Sequence, residues 1–563
     1  MGGLGESHLS ADIDATGQSA GLAPPSWGPF DSTAFTVILI ASTIANIGIA
    51  IFDTSSGWLM TTLNADPMAV STVQIATTLP MFLLTLPAGA LADIVDSRRL
   101  LIVVEVVVTV VSAIFAALVT IHEATQTALL ATTFVLGASG ALTAPAWLKI
   151  TPLLVAPREL AAAVAANGAA YNLSRALGPA LGGVAIVTLG IQSPFWAFSA
   201  SNLALIAALV WWRSPRKGKE SLPAERLTSA IRTGLRYAAN NRHLGATMVR
   251  AIAFFPFASA YWALLPLIAR SQMNNGPEVY GALLGAIGLG AISSSFALNW
   301  LKAELGPDRL AIVGSLGSAL ALVLFAFARE PAVAVIASLI AGASWIIVMA
   351  CLFVSVQVAL PDWVRGRGLA IFLTVHFGAM TLGSAVWGRV ASEEGLAIAL
   401  LAAAIGGVVA IPLTMGWKLQ AAAGLDLSPS MHWRTPVFAQ PIEPDRGPVL
   451  VTVEYRVIKE NCAAFLGAID EVGRERRRDG AFAWGVFEDA VEPGRFLETF
   501  LIESWLELRH LRERVTNADR MLEEEIRQLL AEPPKPTFLT ASARNRRGRK
   551  SQLKLPAPAT PSI

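Results

Sequence analysis

The sequence predicts an all-α membrane protein, with twelve transmembrane helices in two six-helix halves, followed by a small α+β domain of ferredoxin-like order. Three observations carry this reading. Of the 563 residues, 54% are hydrophobic and only 15% are charged, where a soluble globular chain is about 25% charged. Apolar runs near the ~20 residues that cross a bilayer as a helix recur along the chain up to residue 417. Beyond 417 the composition turns polar, and alternating strand-like stretches take turns with helical ones.

The runs lie at 34–56, 69–92, 99–121, 126–148, 159–189, 193–212, 245–269, 277–301, 309–328, 332–357, 368–389 and 394–416. Most connections are short. The exception, 213–244, is long and basic, and its "PAERLTSAIRTGLRYAAN" reads as an amphipathic helix on the membrane surface. This divides the chain into a disordered N-terminus (1–30), a first half (31–212), a linker with an amphipathic helix (213–244) and a second half (245–417). A second linker (418–447), a soluble domain (448–541) and a basic, Pro-rich tail (542–563) follow. The N-terminus is polar and does not read as a signal peptide.

Loop charge sets the orientation. With the N-terminus inside, inner loops hold Arg98, Arg99, Lys149, Arg158, Lys302, Arg309, Arg365, Arg367 and the basic residues of 213–242. Outer loops hold Arg270, Arg329 and Arg389. Both termini are therefore expected in the cytoplasm, with the chain multi-pass in a bacterial inner (plasma) membrane. An offset of 205 residues lays Gly178 on Gly383, Gly183 on Gly388 and Tyr171 on His376, as parallel related halves would.

In the soluble domain "VLVTVEYRVI" reads as a strand and "ENCAAFLGAIDEVGRERRRDG" as a helix ending at Gly480. "FAWGVFED" and "RFLETFLIESW" read as strands around the turn "AVEPG". "NADRMLEEEIRQLL" reads as a helix capped by Asn517, and "PTFLTA" as a last strand. The order β-α-β-β-α-β is ferredoxin-like. His510 and Arg514, four apart, suit a helix surface pair as well as a site.

Polar groups at bilayer depth cost roughly 2.5–3.5 kcal/mol each when charged, so Arg175, Asp53 and His376 stand out inside apolar runs. Asn46, Gln74, Asn167, Asn172 and Gln357 are further candidates for a polar cavity, and Tyr171 and Asn172 fall near the face of Arg175. The functional reading is a central cavity in which Arg175 meets an anionic substrate or Asp53, and Asp53 or His376 accepts protons. The structural readings are a fixed interhelical ion pair for Arg175, a helix-end cap for Asp53 and a packing residue for His376. Glu105 pairs with Arg98 or reaches toward the membrane surface. Trp58 and Trp147 read as interfacial belt residues.

Two motifs remain. "GALADIVDSRRLL" (89–101) offers Gly89 for close helix approach and Asp93 as a partner for Arg98 or for a helix N-terminus. It resembles the signature loop of the major facilitator superfamily at Gly89, Leu91, Asp93 and Arg98, and departs from it at Ile94, Asp96 and Ser97. "SRALGPALGG" (174–183) is similar to that superfamily's antiporter motif, through Gly178, Pro179, Gly182 and Gly183, with Ser174 where a glycine is usual. "NIGIAIFDTSSGWLM" (46–60), the stretch 145–183, "LPDWVRGRGLAIFL" (360–373) and "ESWLELRHLRERVT" (503–516) resemble the transmembrane secretion effector branch, which includes enterobactin exporters. The resemblance covers about residues 30–540. It implies a proton-coupled exporter of an amphipathic small molecule, a siderophore or drug-like compound.

The chain shows no catalytic constellation, no phosphate-binding Gly-x-x-x-x-Gly-Lys loop and no metal-ligand cluster. Cys351 and Cys462 are expected to stay unpaired. Neither enzymatic activity nor a cofactor, metal or nucleic-acid partner is expected. The partners are a small-molecule substrate, the lipid bilayer and, through the soluble domain, a second copy. Two alternatives stay open. In one, the soluble domain is a ligand sensor or monooxygenase-like module on a transporter scaffold. In the other, the chain is an importer of the same fold.

Overall fold

The computed structural model describes residues 28–213, 227–420, 426–428, 430 and 446–541. The expected tails at 1–27 and 542–563 lie outside the described residues, as do parts of both linkers.

The first six runs form α1 (Thr33–Leu63), α2 (Pro67–Ile94), α3 (Ser97–Thr120), α4 (Gln126–Leu154), α5 (Leu160–Leu189) and α6 (Ser193–Trp211). Ser32, Asp66, Asp96 and Thr125 start four of them, each side chain accepting a backbone N–H three residues on. After α7 (Leu227–Asn240), the second half holds α8 (Arg242–Leu267), α9 (Pro277–Phe327), α10 (Pro331–Val358), α11 (Asp362–Glu394) and α12 (Leu396–Thr414). Among the described residues, ten helices are long and apolar enough to cross a membrane.

The difference from twelve has two sources. The runs at 277–301 and 309–328 form the single 51-residue α9, broken at Gly306 with φ 71° before Pro307. That break yields two legs, since Gly290 on the first packs on Leu339 of α10 and Gly314 on the second packs on Val348. The other source is α5, which is not among the ten. Its polar and glycine residues dilute its apolar character.

The side where α1 begins and α12 ends is called near, and the opposite side far. On the far side the halves are sealed. A Cβ at Gly183 of α5 would come within 2.6 Å of the Pro277 carbonyl and 3.2 Å of Gly281 Cα on α9. Gly388 of α11 faces Ser71 of α2 as closely. Further along that second seam Asp66 accepts from Ser392 Oγ (2.6 Å), and Thr78 and Thr381 share a 2.7 Å hydrogen bond. Trp58 stacks on Tyr280 (6.2 Å), while Arg270 lies 5.6 Å over Trp58 and donates to Thr61 and Thr62. Trp58 is thus a link between halves, which corrects its expected place in an interfacial belt.

On the near side the α5–α9 seam is open. One face of α5 carries Val164, Gly168, Tyr171, Arg175, Gly178 and Gly182. Its last members are buried, whereas Val164 is 56% exposed, Tyr171 is 49% exposed and a Cβ at Gly168 would touch nothing. The facing side of α9 changes in step, from Gly281, Gly285 and Gly288 packed on α5 to exposed Ser295 and Phe296.

The soluble domain contains β1 (Val449–Val457), α13 (Cys462–Asp479), β2 (Phe482–Glu488), β3 (Arg495–Ile502), α14 (Trp505–Arg514), α15 (Asn517–Gln528) and β4 (Leu530–Thr540). Its sheet runs β2-β3-β1-β4 with every neighbour antiparallel. The expected strand at 495–505 stops at Ile502, because Ser504 caps α14, a helix absent from the expected β-α-β-β-α-β order. Thr516 rather than Asn517 caps α15, in a reciprocal capping box with Asp519. His510 and Arg514 both bond Glu507, and Arg514 is buried, so they form a cluster on a packed face of the helix.

The domain core is ionic as well as apolar. Glu498, fully buried, accepts from Tyr455 Oη (2.8 Å) and Trp484 Nε1 (2.9 Å), with Arg476 at 3.7 Å. Burial beside the Asp519 carboxylate pushes Glu475 up from 4.5 to about 9. The folded domain therefore holds a proton that the unfolded chain releases near pH 4.5, and stability falls as pH rises from there to about 9. Urea unfolding followed by tryptophan fluorescence should give a lower midpoint at about pH 8.5 than at about pH 6. Glu475→Gln should flatten that difference.

Candidate substrate cavity

The open near-side seam leads to a group of polar and aromatic side chains drawn from both halves. Arg175, exposed on α5, lies 6.0 Å from the Tyr171 ring on its own helix. It also lies 5.7 Å from the Trp262 ring on α8, in the other half. Asp53 on α1 and His376 on α11 lie within electrostatic reach of Arg175, whereas Tyr261 is buried in α8 and Tyr280 is buried in the far-side seal beside Trp58. Arg175 faces the space between the halves, since its aromatic partner Trp262 belongs to the opposite half.

Arg175 makes no hydrogen bond or ion pair within 4 Å among the described residues, and neither does the side chain of Asp53. The two are electrostatic neighbours across accessible space rather than a closed salt bridge. His376 is buried, with Nδ1 unbonded. Its ring stands edge-on to Phe255 (4.2 Å), near Phe377 (4.8 Å) and Trp345 (5.8 Å). This is an aromatic pocket with one basic nitrogen at its centre.

The structure brings together Arg175, Asp53, His376 and Tyr171. Asn172 is exposed on the same helix as Arg175, while Asn46 and Gln74 are half-buried. No hydrogen bond joins Asn46, Gln74 or Asn172 to the central group among the described residues. Asn167 instead donates to Thr151 on α4 at 3.3 Å. Sequence reasoning missed Trp262, because an uncharged aromatic in an apolar run stands out by neither charge nor periodicity.

The motif residues divide by side. Gly178 and Gly182 pack on α1 at Ala50 and Ile51, and Gly183 packs on α9. Pro179 is buried, and its carbonyl lies against Gly281. The 205-residue repeat reappears in space: Gly383 packs within its own half on Ser259 of α8, and Gly388 reaches across to α2. Near-side Gly89 has nothing within 4 Å of a Cβ position, so the close approach expected there is absent from this arrangement. The side chain of Asp93 lies outside the described residues. Arg98 does not bond Glu105; it donates to the carbonyls of Leu209 and Val210, at the end of α6.

Two helix bundles packed closely at the far end and spread at the near side have the architecture of a transporter of the major facilitator type. The chain belongs to the transmembrane secretion effector family, whose model matches residues 24–547; its members are transporters rather than enzymes. It is 25% identical over 393 residues to the multidrug efflux pump Tap of Mycolicibacterium fortuitum, covering 67% of this chain and 94% of that one. It is 25% identical to the enterobactin exporter EntS of Salmonella choleraesuis, covering 43% of this chain and 58% of the exporter. In fold it is similar to the nucleoside transporter NupG, with TM-score 0.58 and 12% identity over 68% of this chain and 99% of that one. A bacterial homologue of the lysosomal transporter Spinster gives TM-score 0.54 and 12% identity, over 69% of this chain and 97% of that one.

Replacing Gly183 with Leu should prise the far side apart, because the new side chain meets backbone on α9. A cysteine at position 61, buried behind Arg270, should then react with maleimide about fivefold faster or more. Gly89→Leu should leave that rate unchanged in this arrangement. An unreactive cysteine in the Gly183→Leu chain would show that the seam yields elsewhere.

Proposed function

We propose that the chain is a proton-coupled exporter of an amphipathic small molecule, a siderophore or drug-like compound, working by alternating access through twelve spans. In this reading α5 and each leg of α9 are spans, the near side is the cytoplasm and both termini lie there, in a bacterial inner membrane. The observation that supports it most is the cavity itself. It opens toward the side expected to be cytoplasmic, and both halves contribute to its lining. A carrier that loads from inside presents its site there.

The lining matches an amphipathic cargo. Trp262 and Tyr171 offer aromatic faces and a hydroxyl, and Arg175 offers a fixed positive charge that cannot be titrated in the working pH range. Arg175 therefore binds anionic groups or sets the field at Asp53, and proton exchange falls to Asp53 or His376. Similarity to Tap and EntS favours export, with each relative's cargo remaining its own. The sheet face of the soluble domain away from α13 and α15 is the surface proposed for a second copy.

The test compares the spent medium of a deletion strain with that of the parent. The exported compound should accumulate inside the deletion strain and disappear outside. With that compound in hand, Arg175→Ala should lose export at matched membrane protein level. Arg175→Lys, which keeps charge but not the planar fork, should retain part of it. Asp53→Asn should lose concentrative transport while keeping exchange down a gradient. Wild-type export by Arg175→Ala would remove the cavity assignment.

A further inference from the structure

Among the described residues the soluble domain grips the bundle through α7 and the first turn of α11, beside the near-side seam. On α11, Gly378, Thr381, Gly388 and Ser392 face α2, at Phe82, Thr78, Ser71 and Asp66. Counting back in steps of three and four, the same face continues through Ile371 and Arg367 toward the near side. There Gly234 of α7 lies against it: a Cβ there would lie 3.2 Å from Arg367 Cβ and 3.8 Å from Ile371 Cδ1. The amphipathic helix, expected on the membrane surface, instead packs between α11 and the soluble domain's α13, and it also touches α2.

Three contacts hold it there. Arg478 of α13 lies 5.5 Å over the ring of Tyr237, which is 2% exposed. Arg236 of α7 is 3.8 Å from Glu507 of α14. Arg514 lies 4.5 Å over Trp363 in the first turn of α11, and Trp363 meets Tyr237 edge-on at 5.5 Å. The domain's guanidiniums are held from behind, Arg478 by Asp479 and Asp519 (both 2.9 Å) and Arg514 by Glu507 (2.6 Å).

We infer that α7, pinned by the soluble domain through Tyr237–Arg478, Arg236–Glu507 and Trp363–Arg514, is a wedge in the near-side seam between α11 and α2, and that the near side closes only when it withdraws. The soluble domain is then a brake on the transport cycle. This rests on the alternating-access reading above. Closure would bring the near end of α2 onto Arg367 and Ile371, the surface α7 now occupies.

The test uses the full chain in lipid nanodiscs, with Cys351→Ala and Cys462→Ala. Maleimide labelling of Gly168→Cys reports near-side opening. A disulfide between Asp66→Cys and Ser392→Cys holds the far side shut when wanted. Arg514→Ala with Tyr237→Ala should free the wedge, let the near side close and slow labelling at 168 about fivefold or more. The far-side disulfide should restore fast labelling in the freed variant. If the disulfide changes labelling but freeing the wedge does not, the wedge is refuted and alternating access stands. If the disulfide leaves the freed variant's slowed labelling unchanged, alternating access fails and the wedge with it.

Discussion

The far-side seal depends on helices that approach until a glycine meets the partner's backbone or its smallest side chain. Within lipid, apolar side chains gain little by leaving the bilayer for each other, so association relies on close packing of small residues. Gly183 against Gly281, and Gly388 against Ser71, supply it at two crossings related by the 205-residue offset. Each crossing has a partner one turn or so away that fastens a helix to its own half: Gly178 on α1 and Gly383 on α8. One short stretch of α5, and its counterpart on α11, thus serves as both axle and seal. That explains a helix rich in glycine with a proline at its centre, where strength of helix formation matters less than thinness.

The cavity follows from the same geometry. Because the seal lies in the far half of α5, the near half is free to carry Arg175 in accessible space. Arg175 and Asp53 are both exposed, and solvent between them would shield each from the other, letting two opposite charges stay apart without forming a pair. Near-side closure would expel that water and strengthen every charge interaction inside. An unpaired guanidinium then becomes costly, and the occluded state favours whatever supplies an anion: the ionised Asp53 or an anionic group on the cargo. In the proposed cycle, cargo and proton are linked through this competition for one fixed cation, with no direct contact required between them.

Much of the fold was legible in the sequence because its two strongest signals are physical. A bilayer demands long apolar runs, and the helices start and stop within several residues of those runs. The break at Gly306 and the modest apolarity of α5 separate the ten long apolar helices from the twelve runs expected. In the soluble domain β1, α13 and β2 were plain from alternation and from the Gly480 stop. The helix α14 was not, because "ESW" continues the strand pattern by residue type while Ser504 turns the chain by capping. At the site, charge made Arg175, Asp53 and His376 visible. Trp262, Tyr261, Tyr280 and Trp58 gain their meaning only from which half they face, and a single sequence carries that information weakly.

The contact between soluble domain and bundle differs in kind from either core. The bundle interior is glycine and aliphatic, and the domain interior buries Glu498 with its full set of donors. Between them lie guanidinium groups stacked on aromatic rings, with an ion pair beside them. The arginines and the glutamate are well solvated when separated, whereas the rings of Tyr237 and Trp363 are not, so docking gains both from covering the aromatic faces and from the cation–π contacts. The carboxylates Asp479, Asp519 and Glu507 stand behind the arginines and fix the guanidiniums in place, so that the aromatic faces of Tyr237 and Trp363 meet a surface already formed.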